Sequence, residues 1–490
     1  MSSLLVRGGT IATSRGMFRA DVLVQAEKVV AIGTSEGWTA DQVLDATGCY
    51  VMPGGVDVHT HLQHRIDAET MTADDFATGT LAAAFGGTTT IIDFARRQPE
   101  LGLYDSCLRR MREAEGSAVI DYSFHATIAS TGLGPNWEHD MERLVGLGVT
   151  SFKLFTAYPG RMMVDDATLL SAMAVARELG CLVLVHAENG HMVAHMTERL
   201  VGVGRTEEHW HLLAHPDLAE AEAVHRVVSL ADLAGCALYI VHVSSAAAAE
   251  EVRRARASGR RIWAETCPQY LFACYEQYEN AGFDAAKFIC SPPIRRRSNQ
   301  DGLWRAIQDA TIATIATDHA PFRMADDIPE LPNQKSRGRG NFSRVPNGVP
   351  GIEERLMLMF DGGVRTGLIG LDRFVDLVST RPAQLFGLYP RKGEIAPGSD
   401  ADIVVWDPYR EHTLSAATHH MHVDYSLYEG RVVGGRPRQV ISRGELIVDG
   451  DRWLGRPGRG RFIARQAPHS GSLTWEGLKL PELALGDLGE

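Results

Sequence analysis

The chain has 490 residues, 44% of them hydrophobic, enough to bury one large core and a second, smaller one, which excludes a disordered or fibrous protein. Its 49 Lys and Arg against 61 Asp and Glu leave a formal net charge of -12, a balance that repels phosphate backbones and anionic bilayers, so neither nucleic acid nor membrane is expected as a partner. Seven scattered cysteines without a Cys-x-x-Cys pair exclude a disulfide framework and a thiolate zinc site; with no signal-like start and no apolar run near ~20 residues, the expected setting is the cytoplasm.

Residues 1–52 read as short strands broken by turn residues: 4–11, a Ser14-Arg15-Gly16 turn, 20–24 and 29–33. From 53 to 388, apolar runs alternate with segments of helical period. The runs at 56–61, 88–94, 122–128, 151–155, 182–186, 238–243, 262–266 and 312–318 are strand candidates, separated by helical segments such as 74–85, 167–179, 218–234 and 246–257. The expected fold is α/β, a (β/α)8 TIM-type barrel with its site where the strands end. Strand texture returns within 389–455, at 402–406 and in a hairpin of 439–442 with 445–448 across Arg443-Gly444. One small β-sandwich domain is therefore expected from both chain ends. Residues 456–490, rich in Gly, Pro and Arg before a mildly amphipathic end, are expected to form an arm against a neighbouring subunit.

Candidate chemistry gathers at the strand ends. The first strand closes on Asp57-Val58-His59-Thr60-His61, and the period of two points Asp57, His59 and His61 to one face. His186, His242 and Asp318 each end another apolar run. One such histidine is as well explained by a core carboxylate partner, but four strands ending this way point to a metal centre. Nitrogen and oxygen donors without thiolate fit zinc, manganese or a similar ion. Lys153 sits in the apolar run Ser151-Phe152-Lys153-Leu154-Phe155. It either forms a buried ion pair or, with its amine neutral, captures carbon dioxide to give a carbamate that bridges two metals; spacing leaves both open. Asp57 is expected either to orient a ligand histidine or to serve the structure.

These elements resemble the dihydropyrimidinase and hydantoinase branch of the amidohydrolase superfamily. The resemblance runs through His59-Thr60-His61, Gly86-Gly87-Thr88-Thr89, Ser151-Phe152-Lys153 leading to Tyr158, and His186-Ala187-Glu188-Asn189-Gly190. It continues in His242-Val243-Ser244-Ser245, Ser291-Pro292-Pro293, Asp318-His319-Ala320-Pro321 and Asn347-Gly348-Val349-Pro350-Gly351. It implies two divalent ions, zinc first with manganese or cobalt as alternatives. His59, His61 and Asp318 would complete one site, His186 and His242 the other, with carboxylated Lys153 between. It further implies a hydroxide bridging the metals that opens the ring amide of dihydropyrimidines or 5-substituted hydantoins to N-carbamoyl amino acids. Asp318 would carry the proton, Tyr158 would polarise the carbonyl, and backbone groups at Ser291 and Asn347 would hold the imide. A homotetramer or dimer is implied as well. Allantoinase, dihydroorotase and an inactive dihydropyrimidinase-like scaffold are the competing readings.

Other features carry less. His419-His420-x-His422 lies in the small β domain, Gly338-Arg339-Gly340 lacks a strand-to-helix context, and Cys181 and Cys267 sit in apolar settings. After His61 the chain runs Leu62-Gln63-His64-Arg65-Ile66-Asp67, a polar loop from which Arg65 either reaches the pocket and favours an anionic or strongly polar substituent, or stays solvated and pairs with Asp67 or Glu69.

Overall fold

The computed structural model describes residues 3–67, 69–98, 100–129 and 136–467. Both chain ends build the small domain. One sheet orders Lys28–Gly33, Asp21–Gln25, Ser3–Arg7 and Gln42–Asp45; the other runs from Arg452–Trp453 through Val432–Ser442, Ile403–Thr413 and Tyr50–Pro53 to Gly16–Arg19. Between them Leu4, Val6, Val22, Val24, Ile403, Val405 and Ile441 form one buried cluster. The run expected as a single strand at 4–11 breaks in two because Gly8 takes a left-handed φ of 80°, which sends Ser3–Arg7 and Thr10–Thr13 into different sheets.

The barrel has eight parallel strands in chain order among the described residues: Gly55–Thr60, Thr88–Arg96, Asp121–Thr127, Ser151–Phe155, Leu182–His186, Ala237–Ile240, Ile262–Thr266 and Thr314–Ile315. The last is far shorter than the expected 312–318. After Ala316, whose N–H still donates to the Thr266 carbonyl at 3.2 Å, the backbone leaves the ladder, and Thr317 instead donates its N–H and hydroxyl to the Asp57 carboxylate at 3.2 and 2.7 Å. Closure comes from the His61 N–H donating to the His319 carbonyl at 2.9 Å. Inside, Val56, Val58, Ile92, Phe94, Leu182, Leu184 and Tyr239 fill the floor; outside, helices such as Phe76–Phe85, Asp166–Glu178, Asp217–Ala234 and Ala246–Ala257 cover the strands. Their starts are fixed by side chains: Asp75, Asp165 and Ser245 each accept a backbone N–H of the first turn.

The described part of the expected arm, 456–467, runs along this chain's own barrel. Tyr122 N–H donates to the Arg461 carbonyl, Ile463 N–H to the Tyr122 carbonyl and Arg465 N–H to the Gly148 carbonyl, at 2.7–3.0 Å. The buried Arg465 guanidinium donates to Ser123 and Ser151. The remainder, 468–490, lies outside the described residues. No helix among the described residues is long and apolar enough to cross a membrane.

Candidate metal centre

The predicted ligands stand on or just beyond barrel strands, and the folded chain brings the set together. The His59 and His61 Nε2 atoms both lie 3.1 Å from one Asp318 oxygen. The His186 Nδ1 and His242 Nε2 atoms face each other at 2.9 Å. Donor atoms of His59, His242 and Asp318 fall within 4.8 Å of one another, a group able to hold a metal ion. Tetrahedral zinc with bonds of ~2.0–2.1 Å holds its donors roughly 3.3 Å apart, close to these separations. The tautomers agree. His59 turns Nδ1 onto Glu265, and His186 places Nε2 3.0 Å from Glu188, so each keeps its other nitrogen for the centre.

Lys153 is fully buried beside this group, and its ammonium nitrogen has no hydrogen-bond partner. The Phe94 and Phe155 rings flank it, with centroids 5.2 and 5.1 Å away. Burial drives its pKa down to about 7 despite the pull of Glu265 and Asp318 in the other direction. Of its two sequence readings, the ordinary buried ion pair has no hydrogen-bonded partner to support it. An unpaired lysine amine, poised to be neutral and adjoining clustered donors, fits a metal centre that includes a carbamate. At Asp318, burial favours the protonated form, but His59 and His61 hold the carboxyl well below its usual range.

Above the centre opens a cavity of about 640 Å³ lined by His59, His61, Lys153, Tyr158, Ser291, Asp318 and Asn347. The Tyr158 ring lies 5.4 Å from that of His186. Burial and Glu188 raise its phenol above the usual range, while Ser291 and Asn347 act in the opposite sense. Tyr158, His242 and Asp318 all have left-handed backbones, with φ of 63°, 40° and 51°. Such conformations cost of order 1–3 kcal/mol each and persist where the surrounding fold imposes them. Behind the lining, the buried Lys335 ammonium donates to the carbonyls of Ile289, Pro346 and Gly348 at 2.8, 2.9 and 2.8 Å, fastening the segments that carry Ser291 and Asn347.

At two positions the structure fits the non-catalytic alternative. Arg65 is exposed and does not line the cavity; it faces a small adjoining recess, and only its backbone carbonyl turns inward, to accept from Arg96 at 2.6 Å. The cationic side chains that do line the cavity mouth include Arg96, Arg161 and Arg337. Asp57 does not orient a histidine ring: a shift in strand pairing after it turns its carboxylate to Thr317 and the His59 N–H, and it ties the first strand to the last. Glu265 takes the orienting place. It accepts from the His59 ring, from the Tyr239 hydroxyl at 2.7 Å and from the His242 N–H at 3.1 Å. Glu188 does the same for His186, and also accepts from His215 at 2.9 Å and Ser291 at 2.6 Å. His420 is engaged elsewhere, pairing with Glu353 and stacking on Phe85.

Comparison with known proteins finds the pattern of the amidohydrolase family across residues 50–447. The chain is 43% identical over 462 residues to a D-hydantoinase of Geobacillus stearothermophilus, covering 94% of this chain and 96% of that one. It is 44% identical over 469 residues to a D-hydantoinase of Streptomyces coelicolor, covering 95% and 98%. Among solved structures, dihydropyrimidinase from Brevibacillus agri superposes with a TM-score of 0.91 at 43% identity, covering 95% of this chain and 99% of that one.

Proposed function

The chain belongs to the amidohydrolase family, and on that premise we propose that it opens the ring amide of hydantoins or dihydropyrimidines to give N-carbamoyl amino acids. The observation that carries this reading is a buried, unpartnered Lys153 amine set among His59, His61, His186, His242 and Asp318 at the floor of an open cavity. In this proposal His59, His61 and Asp318 hold one divalent ion and His186 and His242 a second, with Lys153, carboxylated on Nζ, shared between them. Zinc suits the nitrogen and oxygen donors; manganese and cobalt are alternatives. Bound there, the ions would lower the pKa of a water towards neutrality and polarise the ring carbonyl.

The protein's own groups account for the rest. Asp318, held ionised by its histidines, takes the proton from the attacking water and returns it to the ring nitrogen as the carbon–nitrogen bond breaks. The Tyr158 phenol stays protonated and donates to the carbonyl oxygen as that oxygen gains charge. Backbone groups at Ser291 and Asn347 hold the ring amide, and Lys335 keeps those two segments in register. All seven cysteines are free, which suits the reducing cytoplasm included in this proposal, as is assembly into a homotetramer or dimer.

The test is a panel of hydantoin, dihydrouracil, allantoin and dihydroorotate, with the N-carbamoyl or other open-chain product quantified. Opening of hydantoin or dihydrouracil supports the proposal. Turnover confined to allantoin or dihydroorotate, or turnover of none, contradicts it.

A further inference from the structure

The segment that carries Asn347 is fastened from a second side, by a histidine with no part in the metal centre. His319 follows Asp318, and its backbone forms a seam that bridges to Thr60 on one side and to Val349 on the other. The Ala320 N–H donates to the Val349 carbonyl at 3.1 Å. Gly348, with a φ of 152°, comes so near that a side chain there would meet the Ala320 carbonyl oxygen at 2.2 Å. The His319 ring is fully buried along this seam. Its Nδ1 accepts the Gly351 N–H at 3.1 Å, with the Ile352 N–H 3.4 Å away. An N–H can only donate, so the ring proton is on Nε2, which donates to Asp74 at 3.0 Å. Asp74, equally buried, accepts the His422 N–H on its other oxygen at 2.9 Å. One line of hydrogen bonds therefore runs from His422 through Asp74 and His319 to Gly351. It passes beside Asp318 and ends in the turn after Asn347, so it spans the group proposed to move the proton and the backbone proposed to hold the ring amide.

We propose that His319, aligned by Asp74, is a positioning residue: it sets the backbone at Asn347 against Asp318 and thereby fixes where the ring carbonyl stands over the metal centre. This rests on the cyclic-amide reading above and adds the part that registers substrate to metal. The ring itself lies outside the cavity lining and acts only through the segment it holds. A displacement of that segment by ~1 Å leaves a bound ring wrongly placed, at a cost of ~10²-fold.

The experiment compares three variants with the wild type. His319→Phe keeps a ring without its nitrogens. His319→Asn offers an amide oxygen that can accept the Gly351 N–H in place of Nδ1. Asp74→Asn keeps the shape but sets an amide N–H against either the His319 ring or the His422 N–H. Metal per chain, kcat and KM for hydantoin and dihydrouracil, and amide hydrogen exchange at Gly348 and Ala320 without substrate are measured on each full-length, metal-loaded protein. His319→Phe is expected to keep the wild-type metal content and to lose ~10²-fold in kcat/KM, mostly in kcat. Its Gly348 and Ala320 amides, whose own acceptors the substitution leaves in place, should exchange about tenfold faster. His319→Asn should recover much of both losses, and Asp74→Asn should fall between. Wild-type kcat in His319→Phe overturns the proposal, as does a loss of turnover without faster exchange at those amides. So does a loss of metal that accounts for the whole loss of activity, since the histidine would then serve only the grip of Asp318 on its ion. Should His319→Phe fail to fold, Asp74→Asn decides on the same readings: a lower kcat at full metal content supports the proposal, and an unchanged kcat overturns it. Failure of the wild type to open any ring defeats the cyclic-amide reading, whereas ring opening that is unaltered in the variants defeats the positioning role alone.

Discussion

Replacing Lys335 by Met should damage substrate binding from behind the cavity wall. Its ammonium is fully buried and shared by three carbonyl oxygens, those of Ile289, Pro346 and Gly348, at 2.8–2.9 Å. Burial pulls its pKa down to about 7, so each bond lies between the ~0.5–1.5 kcal/mol of a neutral amine donor and the ~1.5–3 kcal/mol of a charged one, and roughly 5–9 kcal/mol is the upper bound for three. Removing a buried cation that faces no carboxylate recovers several kcal/mol of desolvation, which leaves a net loss of about 2–4 kcal/mol. At ~2.1 cal/mol/K per residue, a chain of this length should then melt roughly 2–4 °C lower. The functional loss should be larger. Segments 289–291 and 346–348 carry the groups proposed to hold the ring amide, and a displacement of ~1 Å at such groups costs ~10²-fold. Thermal denaturation read beside kcat/KM for hydantoin or dihydrouracil is the assay. A variant that melts and turns over like the wild type would refute the reasoning, because three dry carbonyls would then have lost their donor without consequence.

Lys153→Ala should lose bound metal and turnover, with partial recovery of both in millimolar acetate or propionate; a fully active Lys153→Arg would contradict the carbamate, since guanidinium does not capture carbon dioxide. Glu265→Gln keeps the shape beside His59 but removes the charge, and metal affinity measured against a chromophoric chelator should fall ~10–100-fold; an unchanged affinity would remove Glu265 from that role. Glu354, whose carboxyl accepts from Ser426 at 2.6 Å, is pushed by burial to about 8 from an ordinary 4.5. Its folded pKa is raised, so the stability linked to its proton is present below about 4.5 and is lost as pH rises through about 8. Glu354→Gln should therefore melt progressively higher relative to wild type across that window, and a difference independent of pH would show that Glu354 does not titrate there.

The barrel and the six clustered side chains were legible because one device recurs: an apolar run that ends in a histidine, lysine or aspartate has a strand's period and a polar tip. The same device was available for Glu265, an acid at the end of Ile262–Thr266, and the i, i+2 spacing of His186 and Glu188 was equally visible. What no single run conveys is which acid meets which ring, since His59 and Glu265 come from strands distant in sequence. Asp57 stayed open between two roles for a related reason: strict alternation would place it beside His59, but a pairing irregularity after Asp57 breaks the alternation. Arg65 stayed open because a loop has no period to give its side chain a direction, whereas Arg96, on a strand two residues past Phe94, has one. The arm reads as extended either way; that 456–467 pairs with 118–124 and 148 of its own barrel depends on backbone partners that composition does not encode.

Counting bound metal while measuring ring opening on the same preparation tests the central claim most directly. Wild-type protein is expected to carry roughly two divalent ions per chain, to lose them and its hydantoinase or dihydropyrimidinase activity together under a chelator, and to regain both on adding zinc, manganese or cobalt. Protein stripped of metal that still opens the ring at the wild-type rate would contradict the account.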